Sequence, residues 1–395
     1  MFKDTPEPAD YCVVDSSPEN RLSQFERLTL TGGVELDRAL AWISKQFGSF
    51  SYQTKLESLA VEKFFDAARF YTEPSPSHID WMKHPGKFFE RPSKAPAVQE
   101  TTFHGLQDGE VVDLSFASTY KPQNPDFEKD FYACTPNLTS YARMWRHHGA
   151  ARPTIVAIHG WSMGDQRVNS LAFMPGFFYQ LGFDVALIEL PYHGRRRSPG
   201  ERAANAFLFP SIDVVRTNEA MGQVISDLRN LGLYLNARGV KEVGCMGMSL
   251  GAYVGSLWAA LDTLSFCVPI VPMVSMAEVA WEIITRDENF AELREAGLTL
   301  DLLQETYGVH CPLTHIPQTP KDRMLIIAGI GDKIVPPRQP RLLWEHWKRP
   351  HLLWFRGGHV AQFKRSKAFA EVVGFFEGLG LTDARSKPAP STASS

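Results

Sequence analysis

Between residues 153 and 355 the chain carries six short, largely apolar runs, near 153–158, 184–190, 242–247, 267–273, 323–329 and 351–355. They are too short for helices of ordinary length and too continuously apolar for strands with one face in water, so they read as strands buried on both faces. Helical patterns separate them. The longest spans about 212–237, with Met221, Ile225, Leu228 and Leu235 along one face. Alternation of strand and helix over this length implies a mostly parallel sheet with helices on both sides.

Chemistry-bearing residues gather just past the ends of these runs. The run Glu242-Val243-Gly244-Cys245-Met246 leads into Gly247-Met248-Ser249-Leu250-Gly251, and a small-residue helix (Ala252, Gly255, Ala259, Ala260) follows. A serine hydroxyl is a poor nucleophile unless it is exposed, near a base, and beside donors for the charge that develops on the substrate. Holding it at the tip of a sharp strand-to-helix turn meets the first need, and glycines on either side let the two elements crowd together. Taken alone the pattern is weak, because glycine and serine are common. Its neighbours strengthen it. Thr154–Ile158 ends in His159-Gly160-Trp161-Ser162-Met163-Gly164, Met324–Ala328 ends in Gly329-Ile330-Gly331-Asp332, and Leu352–Phe355 runs into Gly357-Gly358-His359. In a parallel sheet all of these collect at the carboxyl edge, where open α/β sheets place their ligands.

These residues resemble the α/β-hydrolase superfamily, whose chain order of nucleophile, acid and base is that of Ser249, Asp332 and His359. The resemblance covers roughly residues 110–380 and rests on His159-Gly160-Trp161, the turn around Ser249, Gly331-Asp332-Lys333-Ile334-Val335-Pro336 and Gly358-His359. A weaker likeness in Leu190-Pro191-Tyr192-His193-Gly194-Arg195, with the long N-terminal extension, points to an abhydrolase-domain branch. The resemblance implies an α/β-hydrolase fold: a mostly parallel central sheet flanked by helices, with a helical lid insert and a helical N-terminal extension. It implies Ser249 as nucleophile, His359 as general base and acid, and Asp332 as its orienting acid. The amides of Leu250 and of Trp161 (or its neighbour Ser162) would form an oxyanion hole. His159, Gly160 and His193 would contact substrate, and neither metal nor organic cofactor is called for.

The domain expectation is an N-terminal extension over 1–109, a catalytic domain over 110–382 with the insert at about 276–320, and a disordered, Pro-bearing tail over 383–395. In the extension, Leu36, Leu40, Ile43 and Phe47 recur at helical spacing, and Leu56, Leu59, Lys63, Ala67 and Phe70 begin a second stripe. The insert carries Trp281, Ile284, Phe290, Leu293, Leu302, Leu303 and Tyr307, enough apolar bulk to roof a pocket over the catalytic edge and to favour a modest apolar acyl group over acetate.

Composition restricts the function classes. A formal charge of −3, from 41 basic and 44 acidic residues, gives no polybasic footprint for nucleic acid. Five scattered cysteines without Cys-x-x-Cys spacing, and an N-terminus with no apolar core, lead to an expectation of a reducing, cytoplasmic setting. Other features read more simply. His310-Cys311 with His315 matches no standard zinc spacing. Arg195-Arg196-Arg197 reads as a solvated turn or, less favoured, an anion contact. Asn137-Leu138-Thr139 fits a glycosylation acceptor by chance, Asp165 reads as a helix N-cap, and His147-His148 has no informative partner. The function expected is hydrolysis of a small-molecule carboxylic ester, with contact to a lipid or membrane surface if the ester is lipid-like. The alternatives are acyl transfer or lipid deacylation by the same residues, and a catalytically silent scaffold on the same fold. Oligomeric state is not legible.

Overall fold

The computed structural model describes residues 61–73, 80–198, 200, 209–211, 213–359 and 365–382. Its strands are β1 (Gln99–Gly105), β2 (Gly109–Ala117), β3 (Thr139–His147), β4 (Thr154–Ile158), β5 (Asp184–Ile188), β6 (Val243–Met248), β7 (Cys267–Ile270), β8 (Leu325–Gly329) and β9 (His351–Phe355). They form one sheet in the order β1-β2-β3-β5-β4-β6-β7-β8-β9. β5 through β9 are parallel throughout, and β1, β2 and β3 join antiparallel at the β5 side. The principal helices are α1 (Val61–Thr72), α2 (Gln166–Phe173), α3 (Val214–Ala237), α4 (Leu250–Leu261), α5 (Met276–Arg286), α6 (Leu300–Thr306), α7 (Arg338–His346) and α8 (Arg365–Gly378).

The burial pattern explains why the parallel strands are continuously apolar. Successive side chains of β4 and β5 point to opposite faces. Val156, Ile158, Ala186 and Ile188 enter the core shared with α3 and α4, while Ile155, Ala157, Val185 and Leu187 enter the core shared with Phe178 and Phe376. Both faces are covered, so neither set of residues can be polar.

Two strands escape a reading tuned to apolar runs. β3 alternates buried and half-buried residues, with Arg143, Trp145 and His147 on its outer face. β1 is exposed at every position and is held by its ladder to β2. The sheet therefore begins at Gln99, inside the stretch expected to be a helical extension to residue 109. The stripe at Leu36–Phe47, with Leu56, Leu59 and the tail over 383–395, lies outside the described residues. In α1 the buried face is Phe64, Ala68 and Tyr71 rather than the stripe through Lys63, Ala67 and Phe70. α1 packs on α3 and on α6 of the insert.

The insert leaves from the carboxyl end of β7 and is helical, but its bulky residues are spent on packing. Ile284, Phe290, Leu293, Leu303 and Tyr307 are all buried in the main core. α3 also departs from expectation. It is buried nearly all round from Thr217 to Leu231, polar residues included. Glu219 accepts hydrogen bonds from the hydroxyls of Tyr71 (2.8 Å) and Tyr120 (2.7 Å) and from the amides of Gln123 (2.7 Å) and Asn124 (3.1 Å). Burial pushes its carboxyl up and holds both phenols well above their usual range. Asp227 meets Ser118 Oγ (2.7 Å) and the guanidinium of Arg196 (2.8 Å).

The Arg195–Arg197 run is thus neither a solvated turn nor an anion site at its centre. Arg196 is fully buried and also donates to the carbonyls of Glu189 and Asn137, while Arg195 pairs with Glu189. Asn137 is itself buried, bonded to Gln223 and to the Tyr192 amide, which removes it as a glycan acceptor. His147 has partners that spacing could not reveal: it stacks on Tyr179 at 3.8 Å and meets Asp184 at 2.8 Å. Among the described residues no helix is long and apolar enough to cross a membrane.

Glu219 is one point at which stability is exposed to a single change. Glu219→Ala strips four donors of their acceptor, and each stranded buried group costs about 1–3 kcal/mol. We expect a loss of at least ~3 kcal/mol in urea unfolding, with Glu219→Gln intermediate because its amide oxygen still accepts. A loss under ~1 kcal/mol for the alanine variant would refute this role.

Candidate active site

Ser249 sits between β6 and α4 with φ 56° and ψ −113°, a backbone conformation costly for a residue with a Cβ. The turn is held from both sides: the Ser249 amide donates to the Ile270 carbonyl (2.9 Å), and the Ser249 carbonyl accepts from the Tyr253 amide (3.0 Å). The flanking glycines are required by contact. A Cβ on Gly247 would run into the Gly251 carbonyl, and one on Gly251 would run into the Ile158 carbonyl. The first permits the strand to turn back on its helix; the second lets α4 lie against β4.

Asp332 and His359 follow β8 and β9. The turns that carry them are joined by bonds from the Ile330 amide to the Phe355 carbonyl (3.1 Å) and from the Gly331 amide to the Gly357 carbonyl (2.9 Å). Asp332 is 2% exposed. Its Oδ1 accepts from the amides of Ile334 (2.9 Å) and Val335 (2.7 Å), which turns Oδ2 toward His359 Nδ1 at 2.7 Å. A carboxylate can only accept, so Nδ1 carries a proton, and in the neutral imidazole Nε2 is the basic nitrogen. Glu278, the first carboxylate after β7, is engaged instead by Gln339 and Arg338.

The turn after β4 lies beside Ser249. A Cβ on Gly160 would stand 3.5 Å from Ser249 Cβ and 3.4 Å from the Met248 carbonyl oxygen. His159 does not face a substrate. It is 1% exposed; its Nδ1 donates to the Gly160 carbonyl (2.8 Å), and its Nε2 accepts from the Leu190 amide (3.0 Å). A trans peptide points its C=O and N–H in opposite directions, so pinning the Gly160 oxygen also fixes where the Trp161 N–H aims. The Gly160 amide is occupied by Met163 Sδ at 3.3 Å. Leu250, at the start of α4, offers a first-turn amide that helix geometry leaves without an intrahelical partner. His193 is likewise buried, with Nδ1 on the Pro191 carbonyl (2.9 Å) and its ring edge-on to His159 at 5.0 Å. The expectation that His159 and His193 touch substrate is corrected: His159 ties the β4 turn to the β5 turn, and His193 is bonded within the β5 turn and packs on His159.

The strand order places the turns bearing Ser249, Asp332 and His359 at the carboxyl ends of β6, β8 and β9. Superposition on the acetyl xylan esterase of Paenibacillus sp. R4 gives a TM-score of 0.54 over 80% of this chain and 99% of that one, at 14% identity. This chain has the α/β-hydrolase fold. Acetyl xylan esterase 1 of Thermoanaerobacterium sp. JW/SL YS485 shares that fold, with a TM-score of 0.52 over 80% and 98% of the two chains at 15% identity. By sequence, this α/β-hydrolase-fold chain is 28% identical to the uncharacterized protein Rv2627c of Mycobacterium tuberculosis over 312 residues, 77% of this chain and 73% of that protein. No protein-family model matches the chain.

Asp165 caps α2 as expected, through the Arg167 and Val168 amides. No group of three or more potential metal ligands occurs among the described residues. His310 bonds to the Tyr253 hydroxyl (2.7 Å), and His315 to the Val309 carbonyl (2.7 Å). The thioether contact of Met163 is the site feature that sequence reasoning missed, because a methionine in a turn carries no spacing signal.

Two expectations follow from this geometry. Gly251→Ala forces backbone against backbone, so we expect a loss above ~3 kcal/mol or failure to fold, against ~1 kcal/mol for an ordinary surface change; an alanine variant with native thermal stability would contradict the close packing. The second concerns pH. Burial lowers His159 to about 4 and both His193 and His310 to about 3. The unfolded chain binds their protons near pH 6.5, so stability is fully present above that pH and is lost as pH falls below it. The limit is about 1.4 kcal/mol per pH unit per histidine. Melting temperatures between pH 7.5 and 5.5 should fall less steeply in His310→Gln than in the parent chain; equal slopes would count against the assignment.

Proposed function

We propose that the protein is a serine hydrolase of carboxylic esters. The observation that carries this reading is the Ser249 turn, strained and packed against the Gly160 turn, at the same sheet edge as a His359 imidazole oriented by a buried Asp332 carboxylate. In the reaction, His359 Nε2 takes the proton of Ser249 Oγ as the oxygen attacks the ester carbonyl. Nδ1–H remains on Asp332, which stabilises the imidazolium. The Leu250 and Trp161 amides receive the oxyanion. The imidazolium then protonates the departing alkoxide, and water repeats the sequence on the acyl-enzyme. The similarity to proteins named acetyl xylan esterases supports ester chemistry, and the coincidence of nucleophile, base, acid and amides argues against a silent scaffold.

The acyl side is proposed to be short. Of the insert residues expected to roof a pocket, Ile284, Phe290, Leu293, Leu303 and Tyr307 are buried among helices and Trp281 and Leu302 are half-buried, which leaves less apolar surface to take a chain out of water at ~0.8 kcal/mol per methylene.

Ser249→Ala should abolish labelling by a fluorophosphonate probe and ester turnover while leaving the melting temperature nearly unchanged. Asp332→Asn should lower kcat by about a thousandfold or more, because it disturbs the tautomer and not the packing. Labelling that survives in Ser249→Ala, or no labelling of the parent chain, would defeat the proposal. Across acetyl, butyryl, hexanoyl and decanoyl p-nitrophenyl esters we expect kcat/KM to fall beyond butyryl; a rise toward decanoyl would restore the lipid-like reading.

A further inference from the structure

The segment from Gly160 to Met163 is closed on itself by one residue at both ends. The Met163 amide donates to the Gly160 carbonyl (3.3 Å), and the Met163 thioether accepts from the Gly160 amide (3.3 Å). A thioether is a weak acceptor, used here where a backbone or carboxamide oxygen would be stronger. The same sulfur lies 3.4 Å from the position a Gly160 Cβ would take, and that position is 3.5 Å from Ser249 Cβ. Met163 is only half-buried, and Ser162 beside it is exposed, in the left-handed region at φ 62°. A soft, oxidisable atom on a half-buried residue thus holds the turn packed against the nucleophile.

We propose that Met163 is a positioning residue for the oxyanion turn and the site at which peroxide switches the enzyme off. This rests on the ester-hydrolase reading above. The sulfur lone pair attacks a peroxide oxygen, the O–O bond breaks, and water leaves with the second oxygen. Sulfur is oxidised by two electrons to the sulfoxide as hydrogen peroxide is reduced. The sulfoxide no longer accepts through sulfur. If its new oxygen points at Gly160, the amide must retreat to make room; if it points away, the amide loses its acceptor. Either outcome displaces the Gly160–Trp161 peptide that His159 otherwise aims, and a misplaced oxyanion donor costs about 10²–10³ in kcat. Substrate affinity is set elsewhere, so KM changes little.

The test treats the purified full chain with hydrogen peroxide, maps methionine oxidation by peptide mass spectrometry, and follows kcat and KM on p-nitrophenyl acetate. In the parent chain kcat should fall at least about tenfold in step with Met163 sulfoxide, KM should stay within about twofold, and methionine sulfoxide reductase should restore activity. Met163→Leu, which keeps the bulk and loses the acceptor, should start with a reduced kcat and be insensitive to peroxide. Met163→Gln, whose amide oxygen can accept from Gly160, should be equally insensitive with a kcat above that of the leucine variant. Met248, half-buried and directly before Ser249, is the competing target. Protection by Met248→Leu, inactivation without Met163 sulfoxide, or full activity with Met163 fully oxidised would each overturn the inference. Fluorophosphonate labelling of the untreated chain separates the two failures: without it the hydrolase reading itself falls, whereas labelled, active and sulfoxide-indifferent enzyme sinks only the role of Met163.

Discussion

The close crossing of β6, α4 and β4 is the constraint on which the rest of this molecule depends. Gly251 lets the start of α4 lie on the end of β4, and Gly247 lets the chain reverse at Ser249 with a positive φ. Such a conformation persists only where its surroundings over-determine it. Here the amide of Ser249 is tied to β7, its carbonyl to α4, and its Cβ faces the Gly160 turn. The hydroxyl is thereby set at the edge of the sheet without a flexible loop to carry it.

That arrangement is supported by polar groups that lie deep in the protein. α3 carries Glu219 and Asp227, both buried, and each gathers partners from segments far apart in sequence. Glu219 joins α1 to the connection between β2 and β3, while Asp227 holds Arg196 and with it the turn after β5. That turn carries His193 and receives His159 from behind the Gly160 turn. Removing one partner from such a network costs more than forming the pair contributed, because the remaining group is stranded away from water. The Gly160 turn is therefore connected to α3 by hydrogen bonds and not only by packing.

The site has two halves built by different means. Asp332 and His359 are held by backbone amides and by the pairing of the turns after β8 and β9, which fixes the imidazole tautomer through geometry alone. The Gly160 turn adds side chains to its one backbone bond, with His159 on its carbonyl and Met163 on its amide. Backbone-held geometry tolerates sequence change around it, whereas a turn held in part by a thioether depends in part on the chemistry of that atom.

Read by itself, the sequence determined the parallel core. The runs near 153–158, 184–190, 242–247, 267–273, 323–329 and 351–355 became β4 to β9 within a few residues, because strands covered on both faces, as β4 to β8 are, must be largely apolar, while β9 at the sheet edge is only part-buried. The glycine-flanked serine and the turn residues Asp332 and His359 were legible for the same kind of reason: each follows a strand end, and a parallel sheet brings strand ends to one edge. Only the tertiary structure decided the rest. β1 and β3 have polar outer faces and gain their structure from neighbours, so no local pattern marks them. The burial of Arg196, Asn137 and Glu219 depends on partners from 31 to 148 residues away along the chain. His159 and His193 were placed near the site correctly as positions, but the direction of their rings was set by the carbonyls of Gly160 and Pro191 and the amide of Leu190, and hydrogen-bond direction is a property of assembled backbone that residue type and spacing do not encode.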